Sequence, residues 1–147
     1  MYKTTSKELE HQKIRMFKAY LLLLGSLLSV TVASPVESRS LPSGSVTCGS
    51  NVYTVSQVVS AVSNGVSHLN SPIGSDSYPH IFENREGLPM FCTGKTVFEE
   101  YPILKSGAYN GGSPGADRVV FSSDGVYCAV ITHTGAGGNN FLACKGD

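Results

Sequence analysis

One stretch of the chain carries hydrophobic residues at helical spacing. Its valines fall on one face of a helix, and they are Val55, Val58, Val59, Val62 and Val66. Thr54 precedes the first of them, and Gln57 follows it three residues later, which is the pattern of a capping box. We therefore predict a helix that begins after Thr54 and ends near Asn70, before Pro72. Because β-branched residues favour helices only weakly, packing must stabilise it.

Beyond Pro72 the pattern changes to short hydrophobic runs separated by glycine and proline. Four runs are candidate strands: Tyr78–Phe82, Val97–Pro102, Arg118–Ser122 and Val126–His133. Asp124-Gly125 joins the last two strands, and this dipeptide favours a two-residue hairpin turn in which Ser123 pairs with Val126. A helix followed by an antiparallel sheet indicates an α+β domain.

The first 33 residues have the pattern of a secretory signal peptide. A basic flank precedes an apolar run over residues 19–32, and small residues follow at Ala33 and Ser34. The run is too short and too loosely apolar for a comfortable membrane span. Cleavage after Ala33 leaves a flexible leader rich in serine and proline over residues 34–45, and Met16 offers an alternative start. We therefore expect a secreted protein, with a retained membrane anchor as the alternative.

Removal of that segment changes the charge of the chain. The whole sequence balances 11 basic against 11 acidic side chains, whereas the part after Ala33 has six basic and nine acidic ones, a net charge of −3. An acidic domain cannot hold a polyanion by its overall field, because that mode depends on the release of many counterions. Any nucleic acid must therefore be bound locally, by a few convergent groups.

The same part of the chain keeps four cysteines, namely Cys48, Cys92, Cys128 and Cys144. An even number of cysteines in an exported chain predicts two disulfides, for which three pairings are possible. None of the cysteines lies in a C-x-x-C pair, and this argues against a zinc site.

The predicted hairpin places a cation and an imidazole on one face of the sheet. A two-residue turn at Asp124-Gly125 makes Arg118 pair with Ile131. His133 then lies on the same face and diagonal to Arg118, at a backbone separation of about 7–8 Å. A phosphate fits between two such groups. A solvated sheet face with incidental charges is the alternative interpretation.

Other candidate groups fall on the neighbouring strands. Tyr78 and His80 are two residues apart and share a face, whereas Glu99 and Glu100 point to opposite faces, so that one of them can join Arg118. A carboxylate, two histidines and an arginine suffice for RNA transesterification. A base removes the 2′-hydroxyl proton, an acid protonates the leaving 5′-oxygen, and the cation stabilises the phosphorane. Because the nucleophile belongs to the substrate, this chemistry needs no metal or cofactor.

Blocks of unusual composition also follow one another along the chain. They are Ser77–His80, Asn84 with Glu86-Gly87, Glu100–Leu104, Gly111–Phe121, Ile131–Ala136, and Gly138–Phe141 followed by Cys144. Together they resemble the successive signatures of the guanyl-specific fungal ribonucleases, in order and over nearly all of the mature chain. The resemblance implies the microbial ribonuclease fold, one α-helix packed on a small antiparallel β-sheet, in a ribonuclease domain over residues 46–147.

The resemblance implies specific catalytic roles. Glu100 would be the general base and His133 the general acid, while His80 would assist the base. The residues that contact the phosphate would be Arg118, Tyr78 and Phe141. The resemblance also pairs Cys48 with Cys144 and Cys92 with Cys128, the second bridge being similar to one in purine-preferring members.

A base-binding site is implied as well, formed by Phe82, Glu83, Asn84, Arg85, Glu86 and Asn139. The Glu86 carboxylate would accept the N1–H and N2–H of guanine, which no other common base presents together, and backbone groups near Asn84 and Asn139 would read O6 and N2. The family usually has tyrosine in place of Phe82 and Arg85, and asparagine in place of Glu83. Phe82 keeps a stacking face and the Arg85 plane can stack on a base, so we expect these departures to affect affinity and strictness for guanine.

We therefore predict a secreted, monomeric endoribonuclease that cuts single-stranded RNA, and not DNA, after guanosine. Its product would be a 2′,3′-cyclic phosphate, opened later to a 3′-phosphate. The alternative is a secreted ribonuclease-like effector that binds RNA or a host protein without cutting. A ribotoxin is disfavoured, because such relatives carry long basic loops and this chain is short and acidic.

Overall fold

The structure, a computed structural model, describes residues 41–147. The predicted signal peptide over residues 1–33 and the leader up to residue 40 lie outside the described residues. The described part contains one helix, α1 (Val55–Ser67), and two antiparallel sheets. The first sheet pairs β1 (Val46–Cys48) with β2 (Asn51–Tyr53). The predicted α+β class, with one helix on an antiparallel sheet, is confirmed.

The second sheet has five strands, whose order in space is their order in the chain. They are β3 (His80–Ile81), β4 (Phe98–Pro102), β5 (Asp117–Ser122), β6 (Tyr127–Thr132) and β7 (Leu142–Ala143). Each of the four predicted strands overlaps one of β3 to β6, whereas β1, β2 and β7 were not predicted. Within residues 41–147, no helix is long and apolar enough to cross a membrane.

Helix α1 begins with the predicted capping box. The Thr54 side chain accepts a hydrogen bond from the Gln57 backbone N–H at 3.3 Å, and the Gln57 side chain accepts one from the Thr54 N–H at 3.0 Å. The helix ends at Ser67, three residues before the predicted end near Asn70.

The buried face of α1 differs slightly from the predicted one. It consists of Val58, Ala61, Val62 and Gly65, whereas Val59 is 43% exposed. A Cβ atom at Gly65 would lie 2.6 Å from the Phe121 ring. Glycine at this position therefore lets the helix pack closely on the sheet, which a periodicity of valines does not reveal.

The two faces of the five-stranded sheet have different neighbours. One face packs against α1 in the main core, through Tyr101, Val119, Phe121 and Val130. The strand residues that alternate with these lie on the other face, which packs against a second, smaller core. That core contains Phe82, Val120, Ala129, Ile131 and Phe141. Strand alternation thus separates the face that stabilises the fold from the face on which polar groups gather.

The turn between β5 and β6 differs from the predicted turn. The Gly125 N–H donates to the Ser122 carbonyl at 2.7 Å, and the Ser122 N–H donates to the Val126 carbonyl at 2.9 Å. Three residues therefore separate the paired ends, and the predicted pairing of Ser123 with Val126 is wrong. Gly125 has a φ of +83°, a left-handed conformation that closes three-residue hairpin loops.

A bulge in β6 compensates for this offset. Val120 pairs with Ala129, while the next pair toward the turn is shifted by one residue, so that Cys128 is the extra residue. As a result Arg118 pairs with Ile131, as predicted. The predicted register of the polar face is therefore correct, although the predicted turn is not.

Both disulfides connect segments that are distant in the chain. Cys48 is bonded to Cys144, 96 residues away, and Cys92 is bonded to Cys128, 36 residues away. These are the pairings that the resemblance implies. The first joins β1 to the end of the chain, and the second attaches the loop before β4 to the bulge in β6.

Asp117 is a buried carboxylate that joins three strands. Its Oδ2 accepts hydrogen bonds from the Tyr53 hydroxyl at 2.7 Å and from Asn51 Nδ2 at 2.8 Å. Its Oδ1 accepts one from the Thr132 hydroxyl at 2.6 Å. Strand β2, the start of β5 and the end of β6 are thereby held together by one ionisable side chain.

We expect Asp117→Ala to lower the free energy of unfolding by about 3–5 kcal/mol, because it leaves buried donors without an acceptor. Urea denaturation at neutral pH measures this loss. The exposed Thr93→Ala is the surface control, for which we expect a change within about 0.5 kcal/mol. A loss of less than about 1 kcal/mol for Asp117→Ala would contradict the central role of this carboxylate.

Candidate active site

His80 and Glu100 face each other across β3 and β4, where they form a register pair. His80 Nε2 lies 2.8 Å from Glu100 Oε1, and His80 Nδ1 lies 2.9 Å from the Asp76 carbonyl oxygen. Because a carbonyl only accepts, Nδ1 carries a proton, and the Nε2 position then shares a second proton with the carboxylate. The hydrogen bond to Glu100 raises the pKa of His80, although burial opposes this shift. The geometry therefore suits an ion pair between the His80 imidazolium and the Glu100 carboxylate.

The second oxygen of Glu100 is buried beside a cation. In the described part of the chain no residue hydrogen-bonds Oε2, and Arg118 Nε lies 3.9 Å from it. The carboxylate thus keeps an oxygen that can accept a proton. Glu99, the next residue, pairs with Phe121 and points to the opposite face of the sheet.

Main-chain carbonyls hold the Arg118 guanidinium, and the residue is only 3% exposed. Its Nη1 donates to the carbonyls of Gly115 at 2.9 Å and Asp117 at 3.0 Å. Its Nη2 and Nε donate to the Tyr78 hydroxyl at 2.8 and 3.2 Å. Because the Tyr78 oxygen accepts both bonds, its own proton remains available for an anion. Burial is the main cause that raises the pKa of Tyr78, so the phenol stays protonated.

His133 follows the last residue of β6. Its Nδ1 lies 2.8 Å from the Asn140 carbonyl, so Nδ1 carries a proton and Nε2 is the nitrogen that can exchange one. The ring stacks on Phe141, with 3.8 Å between the ring centroids. The segment that contains Asn140 and Phe141 therefore fixes both the tautomer and the plane of this imidazole.

A cleft of about 390 Å³ lies next to these groups. All six predicted base-binding residues line it, together with Ile81, Glu100, Asn140 and Phe141. Because Glu100 belongs to the lining, the cleft adjoins the His80 pair. A base bound there would place its ribose and phosphate near the catalytic candidates.

Glu86 and Asn84 shape this cleft in different ways. The Glu86 Oε1 accepts a hydrogen bond from the Phe141 backbone N–H at 3.0 Å. Asn84 has a φ of +48°, and its side chain bonds both the N–H and the carbonyl of Leu88, at 2.7 and 2.9 Å. Asn84 therefore builds the turn that presents Glu86, and Glu86 connects this turn to the segment that holds His133.

The residues that depart from the family pattern behave differently from one another. Phe82 is 5% exposed and meets Phe141 edge to face, so most of its ring belongs to the smaller core. Arg85 has a side chain that is 83% exposed, and it forms an ion pair with Glu83. The sequence presents Glu83 and Arg85 as two separate departures, but in the structure they neutralise each other at the rim of the cleft.

Sequence reasoning missed the groups that orient the two histidines. These are the main-chain carbonyls of Asp76 and Asn140, which accept from His80 and His133. Every residue has a carbonyl, so no pattern of side chains could have identified these two. Within residues 41–147, no three His, Cys, Asp or Glu side chains are grouped so that they could hold a metal ion.

Comparisons with known proteins find similar sequences and a similar solved structure. A family model described as ribonuclease matches residues 41–145. The chain is similar to guanyl-specific ribonuclease F1 of Fusarium fujikuroi, with 45% identity over 125 residues that cover 84% of this chain and 92% of that protein. It is also 45% identical, over 101 residues, to extracellular guanyl-specific ribonuclease Fl1 of Gibberella baccata, covering 67% of this chain and 94% of that protein. Among solved structures, ribonuclease He1 from Hericium erinaceus is 39% identical, has a TM-score of 0.49, and is matched over 69% of this chain and 98% of its own.

The His80 and Glu100 pair predicts a pH-dependent contribution to stability. The folded pKa of His80 is raised above its unfolded value of about 6.5, so the stabilisation is fully present below that pH and is lost as pH rises through the folded pKa. We expect His80→Gln to lower the free energy of unfolding more at about pH 5.5 than at about pH 9, as measured by urea denaturation. In a Glu100→Gln background this difference should decrease, because Glu100 is the main group that raises the pKa of His80. Equal effects of His80→Gln at the two pH values in the unmodified chain would contradict the ion pair.

Proposed function

The chain belongs to the family of fungal guanyl-specific ribonucleases, and we propose from this that it is an endoribonuclease that cuts single-stranded RNA on the 3′ side of guanosine. The observation that carries the proposal is the Glu100 carboxylate. It is paired with His80, faces Arg118 and lines the cleft that contains all predicted base-binding residues. A proton acceptor, a cation and a recognition site thus converge on one point.

In the first step, Glu100 takes the proton of the ribose 2′-hydroxyl. The 2′-oxygen forms a bond to phosphorus, the bond from phosphorus to the 5′-oxygen breaks, and His133 gives its Nε2 proton to the leaving oxygen. The charge that develops on the phosphoryl oxygens is stabilised by Arg118 and by the Tyr78 hydroxyl. The product is a 2′,3′-cyclic phosphate.

The second step uses the same groups in reversed roles. His133 now removes a proton from water, the water oxygen attacks phosphorus, and Glu100 returns its proton to the 2′-oxygen. The ring opens to a 3′-phosphate. Since Glu100 must begin as a carboxylate and His133 as an imidazolium, activity has a bell-shaped dependence on pH.

The cleft supplies the preference for guanine. Glu86 is the side chain whose charge can attract the N1–H and N2–H donors of guanine together, and its Oε1 is already oriented by the Phe141 N–H. Adenine has no donor at N1 and no amino group at C2, so it would leave the carboxylate unpaired. The ion pair of Glu83 with Arg85 lies at the rim, where it affects affinity more than the choice of base.

We also propose that the protein acts outside the cell as a monomer, without a cofactor. Relative Fl1 is described as extracellular, and two disulfides suit an oxidising compartment. The alternative, an effector that has lost catalysis, is not favoured, because each proposed catalytic position holds a group able to perform its role.

The first test is digestion of a defined four-base oligonucleotide in the presence of a chelator, with the new ends identified by mass. We expect cleavage after guanosine to persist and to yield a cyclic phosphate, because the 2′-hydroxyl is the nucleophile. An RNA with 2′-O-methyl at the cut site should be inert, and the folded His133→Ala variant should lose about two or more orders of magnitude in kcat. Cleavage of the methylated RNA, or of DNA, would overturn the mechanism.

The second test concerns the choice of base, measured as kcat/KM on GpN and ApN dinucleotides. Glu86→Ala should lower the G-to-A ratio by at least about tenfold, since each hydrogen bond to an ionised acceptor contributes about 1.5–3 kcal/mol. Glu86→Gln keeps an oxygen for the Phe141 N–H but lacks the charge, and we expect a similar decrease in that ratio.

Arg85→Tyr is the matched control for the choice of base. It adds a stacking ring outside the recognition carboxylate, so it should lower KM for GpN with little change in the ratio. Equal cutting after A and G by the unmodified protein would disprove the assignment of Glu86 and would indicate a purine-preferring enzyme.

A further inference from the structure

Tyr109 lies beneath the residues that surround His80, and it is only 4% exposed. Its ring meets the Tyr78 ring edge to face, with centroids 5.7 Å apart, and the Tyr78 ring stacks on His80 at 4.5 Å. On its other side, Tyr109 makes a second edge contact with Tyr101, whose hydroxyl donates to the Tyr109 carbonyl at 3.2 Å. Tyr109 therefore connects the main core to the aromatic ring on which His80 rests.

The same side chain also contacts the loop that holds the other side of His80. This loop is closed by hydrogen bonds between Ile73 and Tyr78, at 2.7 and 2.8 Å, and its Asp76 carbonyl accepts from His80 Nδ1. The loop begins at Gly74, where a Cβ atom would lie 2.1 Å from the Tyr109 hydroxyl oxygen. Packing of the Tyr109 hydroxyl against the Gly74 Cα atom thus restrains the position of the loop.

These contacts meet at a single imidazole. We propose that Tyr109 is a positioning residue, which holds both the Tyr78 ring and the Asp76 carbonyl so that His80 Nε2 faces Glu100. This inference rests on the proposed function, since it concerns the histidine that assists the base. Tyr109 itself is buried behind these groups and acts on the reaction through His80 and through the Tyr78 ring, whose hydroxyl is also a proposed phosphate contact.

The arrangement predicts which kinetic constant Tyr109 controls. If the Tyr109 ring is removed, Tyr78 loses its edge contact and the loop at Gly74 loses its support. The Asp76 carbonyl, which accepts from His80 Nδ1, is then displaced, and His80 can turn away from Glu100. Such a loss of alignment affects the chemical step. The base cleft is formed by other segments, at Phe82–Glu86 and Asn139–Phe141, so guanine binding should change little.

The test compares Tyr109→Leu with Tyr109→Phe in the full chain, using kcat and KM on GpN and folding checked by thermal unfolding. We expect Tyr109→Leu to lower kcat by about 10- to 100-fold with KM changed less than about twofold. Tyr109→Phe keeps the ring and should retain most of the activity. Tyr127→Leu, which truncates another buried tyrosine, is the matched control for a general loss of packing and should leave kcat of the folded protein unchanged.

A double-mutant cycle separates positioning from a structural role. The cycle is measured in a Tyr78→Phe background, which removes the phosphate-contacting hydroxyl and keeps the ring. When His80→Ala is also present there, Tyr109→Leu should lower kcat by less than about twofold, because the remaining effect passes through His80. If the two losses add in full, Tyr109 acts independently of His80 and the proposal is wrong.

A readout without substrate distinguishes this inference from the proposed function. NMR titration of the His80 ring should give a lower pKa in Tyr109→Leu than in the unmodified chain, because the hydrogen bond to Glu100, and with it the bond to the Asp76 carbonyl, is weakened. Tyr127→Leu should not change it. Absence of RNA cleavage by the unmodified protein would disprove the proposed function and leave this titration valid. An unchanged His80 pKa in folded Tyr109→Leu would overturn the positioning role.

Gly74→Ala provides a second route if Tyr109→Leu does not fold. The added Cβ would meet the Tyr109 hydroxyl, so kcat should fall, and combination with Tyr109→Phe should restore part of it by removing that oxygen. Because Gly74 has a φ of +81°, alanine also strains the backbone, and Gly94→Ala, at a φ of +77° with open space around its Cβ, is the control for that strain. A fall in kcat for folded Gly74→Ala no larger than that for Gly94→Ala would show that the contact does not position His80.

Discussion

Asp117 accepts three hydrogen bonds from β2 and β6 in a site that excludes water. A buried carboxylate is tolerated only when its lone pairs are used, so these donors must stay in place whenever the protein is folded. Arg118 follows Asp117 directly, and His133 follows Thr132, which is one of the donors. The hydrogen bonds of Asp117 therefore hold together the strand ends that bear Arg118, the proposed phosphate-binding cation, and His133, the proposed acid.

The remaining polar groups of the site are restrained in the same way. Arg118 is surrounded by main-chain carbonyls and by Tyr78, and each proposed catalytic histidine has a carbonyl on Nδ1. Groups held in this manner need little reorganisation when charge develops during the reaction, and low local dielectric strengthens their effect. The cost is desolvation of charged groups, which the hydrogen bonds offset.

The groups proposed for base recognition and for catalysis share one short segment. The Phe141 N–H donates to Glu86, the Phe141 ring stacks on His133, and the Asn140 carbonyl accepts from His133. The disulfide from Cys92 to Cys128 attaches the loop beyond Glu86 to the bulge in β6. A base bound in the cleft would thereby be placed relative to the proposed acid through a few contiguous contacts.

The sequence by itself determined the helix start, strands β4, β5 and β6, the run that contains β3, and the chemical types proposed for the site, because capping, alternation and the presence of an acid, a base and a cation can be read from side chains. It did not show β1, β2 or β7, because none of them belongs to a hydrophobic run long enough to alternate. Strand β3 is as short, but it lies within the longer run Tyr78–Phe82. It predicted the pairing of Arg118 with Ile131 correctly. The three-residue loop shifts the strands by one residue, and the bulge at Cys128 cancels that shift. The tertiary structure alone decided the orientation of the histidines, the pairing of Glu83 with Arg85, the burial of Phe82 and the support from Tyr109. Each of these depends on a main-chain carbonyl or on the packing of a side chain against its neighbours in space, and neither is encoded by residue type at a fixed spacing.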